Sequence, residues 1–249
     1  MNSVTEISAP VQGGAIRFND VDGEAVTIAH DAGLNSADYT VEAWITTSDA
    51  DNESNRVISK PVGSNQTYSL VIRNGILTAD TTAFDSTTAT SGVFVADGQP
   101  HHIAVSYDST ALVGKLYVDG LLVATFPATN PLPQSTEDVI IGDYPAPFDQ
   151  AFDGDISEVR IWSDVRTDQE VLDNFDQPLT PGEPNLEAYL TFDGDVLDQS
   201  GNGRDGTVVG APVFVSAAAP VDAPLQTEED VPLAITGISI ADLSAIARA

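Results

Sequence analysis

Cysteine is missing from this 249-residue chain, which excludes disulfides and thiolate metal sites, and three histidines are too few for a histidine-rich site. Stability has to come from packing and, where acids gather, from hard cations. Basic residues are also scarce. Nine against 38 acids give a net charge of −29, which repels nucleic-acid phosphates and anionic membrane surfaces and removes both as partners. No run of about eighteen apolar residues is present to span a bilayer, so membrane insertion is not expected. The N-terminus lacks the basic, apolar and small-residue succession of a signal peptide, which puts any export address outside this segment. A Gly-x-Ser-x-Gly elbow, a P-loop and a dinucleotide fingerprint are all missing too.

What the chain has is strand. Its 42% apolar residues suffice for a real core. Short segments rich in Val, Ile, Tyr and Phe recur between turn signals at 57–60, 68–73, 76–79, 102–107, 115–118 and 121–126. Asn74-Gly75 and Asp119-Gly120 separate such runs, and these pairs tolerate the positive φ angles of tight hairpins. Alternation along 41–45 and 116–118 is imperfect, as expected where both faces of a sandwich strand are covered. The pattern predicts an all-β fold, a two-sheet antiparallel sandwich. One helix is expected at 168–175, with Thr167 as N-cap, Glu170 in capping-box position, and Val171, Leu172 and Phe175 on one face. Trp44 and Trp162 lie in strand patterns, where large aromatics are core.

Phe152-Asp153-Gly154-Asp155-Ile156-Ser157-Glu158-Val159-Arg160-Ile161-Trp162, leading into the helix, resembles the signature of the laminin-G-like, pentraxin-like (concanavalin A-like) jelly roll. Gly13-Gly14-Ala15-Ile16-Arg17-Phe18 resembles that family's opening strand and Tyr39-Thr40-Val41-Glu42-Ala43-Trp44-Ile45 its second motif. Residues 102–108 and 114–120 resemble its central hairpin, 186–194 its returning strand and 198–207 its "DxSGNGxdGt" turn, with 208–215 expected as one final strand. The resemblance implies a jelly-roll domain over 13–216 after a lead-in, 1–12. Residues 217–226 are small and Pro-punctuated, as in a linker. Residues 227–249 resemble the start of a cadherin-like or immunoglobulin-like repeat of large bacterial surface proteins, the alternative being a C-terminal strand that folds back on the same sandwich.

So many acids have three uses: a solvated surface, self-repulsion that keeps the chain soluble, or oxygens for divalent cations. No continuous EF-hand loop is present, so a calcium (Ca2+) site has to be assembled from separate loops. The resemblance implies one from Asp51 and Asn52 with Asp143 and Asp149. A second set is Asp20, Asp22 and Asp155, and a third is Asp193, Asp195 and Asp198. Each has an alternative in turn chemistry, since Asp and Asn bond their own backbone locally. Tyr144 and Phe148, in the same loop as Asp143 and Asp149, offer rings for sugar stacking, with Asn52 approaching from the neighbouring loop. Asp153 and Asp155 share a strand face, with Glu158 on the other, which does not reproduce the Glu-x-Asp-x-Glu pattern of glycanases. His101 and His102 point to opposite faces, which favours structural use.

The resulting expectation is a non-catalytic, calcium-supported module that binds a glycan or another cell-surface ligand. It is expected to act extracellularly or at a cell surface, beside neighbouring repeat domains of an adhesin-like protein. The alternatives are a structural spacer and, third, a polysaccharide hydrolase.

Overall fold

The computed structural model describes residues 13–216 except 20–22, 52–53, 64, 82, 84–87, 129–130 and 145–149. The strands are β1 (Gly14–Asn19), β2 (Ala25–Ile28), β3 (Tyr39–Thr46), β4 (Asn55–Val62), β5 (Asn65–Arg73), β6 (Ile76–Asp80), β7 (Thr88–Phe94), β8 (Pro100–Asp108), β9 (Val113–Val118), β10 (Leu121–Pro127), β11 (Val139–Ile141), β12 (Asp153–Trp162), β13 (Leu186–Leu190), β14 (Gly206–Val209) and β15 (Val213–Ser216), with helix α1 (Asp168–Asn174) after β12. They form two antiparallel sheets, the expected jelly-roll sandwich. The first runs β10-β9-β8-β3-β12-β1-β15, with β13 also on β12, and the second runs β14-β2-β11-β4-β5-β6-β7. No helix among the described residues is long and apolar enough to cross a membrane.

Alternation explains the main core. Val41, Ala43 and Ile45 of β3 join Ile16, Phe18, Ile103, Val105 and Ile156 from the first sheet against Val26, Ile28, Ile58, Leu70, Ile72, Leu77 and Ile141 from the second. The other side of β3 carries Glu42 and Trp44, which a one-sided strand would leave in water. Both are buried because α1 and the segment after it lie across the first sheet. Trp44 stacks on Phe175 with ring centroids 5.9 Å apart and donates its indole N–H to the Phe175 carbonyl at 2.8 Å. Arg160 donates to the carbonyls of Asn174 (2.9 Å) and Gln177 (2.7 Å), satisfying acceptors at the helix end. Both tryptophans are therefore core, as expected, but outside the main core: Trp44 lies beneath the helix end and Trp162 packs with Leu179, Leu186 and Tyr189.

The local signals hold where the chemistry is local. Asn74, Gly75, Asp119 and Gly120 all take positive φ between 51° and 75°, closing the two hairpins. Thr167 and Glu170 form the reciprocal capping box. Val171 and Phe175 are buried, whereas Leu172 is exposed, because this seven-residue helix rests on the sheet through one narrow stripe. The single final strand is corrected to two. Gly210, at φ 72°, turns the chain between β14, which pairs with β2 in the second sheet, and β15, which pairs with β1 in the first.

Candidate functional site

The rim of the sandwich is set by the turn that ends β11. Gly142 takes φ 87° with the Phe18 ring against its α-carbon, leaving no room for a Cβ. Asp143 follows and is buried, accepting from the backbone N–H of Gly23 at 2.8 Å and of Tyr144 at 2.6 Å. Tyr144 turns inward. Only 6% exposed, its ring faces the Arg56 guanidinium 4.9 Å away and its phenol oxygen accepts from Gln66 Nε2 at 2.9 Å. An open ring for sugar stacking at Tyr144 is thus corrected: two polar partners from β4 and β5 draw it onto the sheet. Phe148 and Asp149 lie outside the described residues.

Asp51 lies in the neighbouring loop, its carbonyl accepting from Asn74 N at 2.8 Å and its N–H donating to Asp49 at 3.1 Å. Asn52, Asp20 and Asp22 lie outside the described residues. Asp155 is clamped by Arg17 through two bonds of 2.6 and 2.7 Å. Burial, and then the nearby Asp49, raise the Asp153 carboxyl. Asp198 accepts from the backbone N–H groups of Tyr189, Ser200 and Arg204, the turn chemistry weighed for it. Burial opposes its ionisation, yet those donors hold its pKa below the usual range. Asp193 accepts from Gly14 N and Asp195 from Leu197 N. Among the described residues no three His, Asp or Glu side chains gather to hold a metal ion.

Beside this rim, the outer face of the second sheet is polar and covered. Ser59 pairs with Ser69, Arg56 with Val71 and Val71 with Thr78, and all five are buried. Arg56 and Arg73 share Asp80. Three atoms here are buried without a hydrogen-bond partner: Arg56 Nη1, Ser59 Oγ and Gln66 Oε1. Orphaned polar groups cost on the order of 1–3 kcal/mol each, so their retention within one strand pair calls for an explanation. Sequence reading missed them. The signal was present in Asn55-Arg56-Val57-Ile58-Ser59-Lys60, where polar side chains interrupt a strand whose neighbours are core.

Positive charge is already committed throughout. Of nine Lys and Arg residues, Arg248 lies outside the described residues. Arg17, Arg56, Arg73, Lys115, Arg160, Arg166 and Arg204 each meet a carboxylate within 4 Å. Lys60 is buried, donating to the Glu137 carbonyl at 2.6 Å, and burial brings its ammonium down to about 8 against the pull of Asp138 and Glu137. None of these eight cations stands free to meet a polyanion.

A laminin G family model, described as the Concanavalin A-like lectin/glucanases superfamily, matches residues 20–172. Among curated proteins none matches. Among solved structures, a Bacteroides ovatus protein to which carbohydrate binding is ascribed superposes with a TM-score of 0.65 at 18% identity, covering 85% of this chain. The chain spans 62% of that protein's length. The heptameric SAP-like pentraxin of Limulus polyphemus gives 0.59 at 13% identity, covering 83% of this chain and 96% of its own. Domain 4 of an extracellular arabinanase from Geobacillus stearothermophilus, in complex with arabinotriose, gives 0.51 at 20% identity, covering 66% and 76%. With more than half of its length matched by the family model, the chain belongs to the Concanavalin A-like lectin/glucanases superfamily as a laminin G-type domain.

Proposed function

We propose that this domain is a non-catalytic glycan-binding module of an extracellular, adhesin-like protein, with calcium supporting the rim through Asp51, Asn52, Asp143 and Asp149. The observation that carries the reading is the polar cluster at the edge of β4 and β5, where Arg56 and Gln66 fix Tyr144 and with it the turn that carries Asp143. Hydroxyl-rich ligands are recognised by a few polar groups held in fixed positions, and these buried contacts hold the Asp143 turn in place. Carbohydrate-binding relatives of the same fold, one of them holding arabinotriose, support the same reading. The committed cations argue for a neutral sugar, or one bridged by a metal ion, over a polyanion.

The spacer alternative is disfavoured by topology. Gly14 and Ser216 are partners in the β1–β15 ladder, so the chain enters and leaves the domain about 5 Å apart. A module entered and left at one point adds almost no length to a string of domains and hangs from it as a pendant. Hydrolysis is disfavoured because Asp155, which shares a strand face with Asp153, is held in a bidentate bond to Arg17.

A glycan array read in calcium and again in chelator tests the proposal, with Gln66→Ala and Asp143→Ala beside the parent. Binding in calcium that weakens at least tenfold in both variants is expected. Silence across a broad array in both conditions would return the domain to the spacer reading.

A further inference from the structure

We propose that the flank formed by β14 and β15 seats a segment of this same chain, residues 231–240, as an added strand on the free edge of β15. β15 is the last strand of the first sheet and β14 the first of the second, so both sheets end on this flank. Val208, Val209, Val213 and Phe214 are between 37% and 53% exposed. Val208 and Val209 are sequence neighbours, as are Val213 and Phe214, and neighbours in a strand point to opposite faces. Both faces of the flank are therefore uncovered. An open groove of about 450 Å³ lies at the end of β15, lined by Phe214, Val215 and Ser216 with Gly13, Gly14, Asp193 and Gly194, and the open space around Gly194 allows another chain to approach closely.

Edge strands are ordinarily guarded by charge, by proline or by a bulge. Within β15 itself neither charge nor proline is present. Residues 206–221 carry no charged side chain, although 19% of the whole chain is charged. Residues 231–241, outside the described residues, are likewise uncharged and alternate: Val231, Leu233 and Ile235 on one face, then Ile238 and Ile240 after a one-residue step at Gly237. That is the pattern of a strand with one apolar face. The tether between them, residues 217–230, reaches about 46 Å when extended, several times the roughly 13 Å of a four-residue strand, so it can turn back along β15. Its acids Asp222, Glu228, Glu229 and Asp230 stay with the tether, clear of the contact. A second copy is the poorer occupant, because each copy brings a net charge of −29, whereas the tethered segment arrives at millimolar effective concentration.

Hydrogen-exchange mass spectrometry on the full 249-residue chain tests this directly. In the parent, peptides covering 213–216 and 231–240 should exchange at least tenfold more slowly than in Leu233→Asp/Ile235→Asp, while β3 and β12 exchange equally in both. Ser239→Asp, placed on the opposite face, should keep the protection. Exchange at the free-peptide rate across 231–240 in the parent would overturn the proposal. So would protection that grows with protein concentration, which assigns the flank to a second copy.

Discussion

The carboxylate of Glu42 accepts the indole N–H of Trp162 across the β3–β12 pair, 2.9 Å away, in a layer sealed from water. Its other oxygen lies 3.1 Å from Nε2 of His102, and Arg160 Nη1 is 3.7 Å away. Burial pushes this carboxyl up, but His102, Arg160 and Trp162 together outweigh it and hold it down to about 2. A folded-state pKa below the unfolded value of 4.5 contributes stability that is complete above about pH 5 and is lost as pH falls toward 2. Glu42→Gln should cost roughly 3 kcal/mol at pH 7 and flatten the stability profile across that acid window. Urea denaturation at pH 7, 4, 3 and 2.5 measures both effects.

His101 works in the opposite direction. Its Nδ1 lies 2.9 Å from Asp119 and its Nε2 3.3 Å from Asp97. The bond to Asp119 raises its pKa above 6.5 despite partial burial. The stability it adds is complete below about pH 6.5 and is lost as pH rises through the folded-state value. His101→Gln should therefore remove up to about 1 kcal/mol at pH 5.5 and almost nothing at pH 9. A parent imidazole that titrates by NMR at or below 6.5 would contradict the assignment.

The Gly142 turn underlies the candidate site, so its variant should show in two readouts. Gly142→Ala combines positive-φ strain with a Cβ driven into Phe18, a loss of about 2–4 kcal/mol. Near-UV circular dichroism should change as well, because Tyr144 is carried by the same turn. Gly182, at φ 85° with open space around it, serves as the control: Gly182→Ala should cost about 1 kcal/mol and leave the aromatic signal alone.

Thr167 accepts from the Glu170 N–H at 3.2 Å, and Glu170 in return accepts from the Thr167 N–H at 2.8 Å. Thr167→Ala should lower stability by about 1 kcal/mol in chemical denaturation. Cooperativity should persist, since Arg160 and Trp44 continue to hold the far end of α1.

Much of the fold was legible because its signals are local. The Asn-Gly and Asp-Gly turns, the capping box and the buried tryptophans each follow from the conformational or solvation preferences of a few adjacent residues. The split of 208–215 into two strands was harder to read. Val208, Val209, Val213, Phe214 and Val215 look like one apolar run, and only the partners waiting on either side, β2 and β1, assign them to different sheets.

The site divides the same way. Loop acids and aromatics could be found by residue type, but type does not give direction. Tyr144 reads as a loop aromatic free to stack, and Asp155 as one carboxylate of a possible metal set. Arg56 and Gln66 reach the first from strands some eighty residues away, and Arg17 reaches the second from β1.

By itself the amino-acid sequence determined an acidic, cysteine-free, all-β sandwich with one capped helix, because composition and short-range periodicity govern which segments can be strands and where they turn. Tertiary structure alone decided which polar groups are satisfied and which are left over. Hydrogen-bond partners in a jelly roll come from strands distant in sequence, and the balance between a surface carboxylate, an ion pair and an orphaned donor depends on who arrives opposite. That pairing turned Tyr144 inward, spent the described cations, brought Gly14 beside Ser216 and left the β14–β15 flank open.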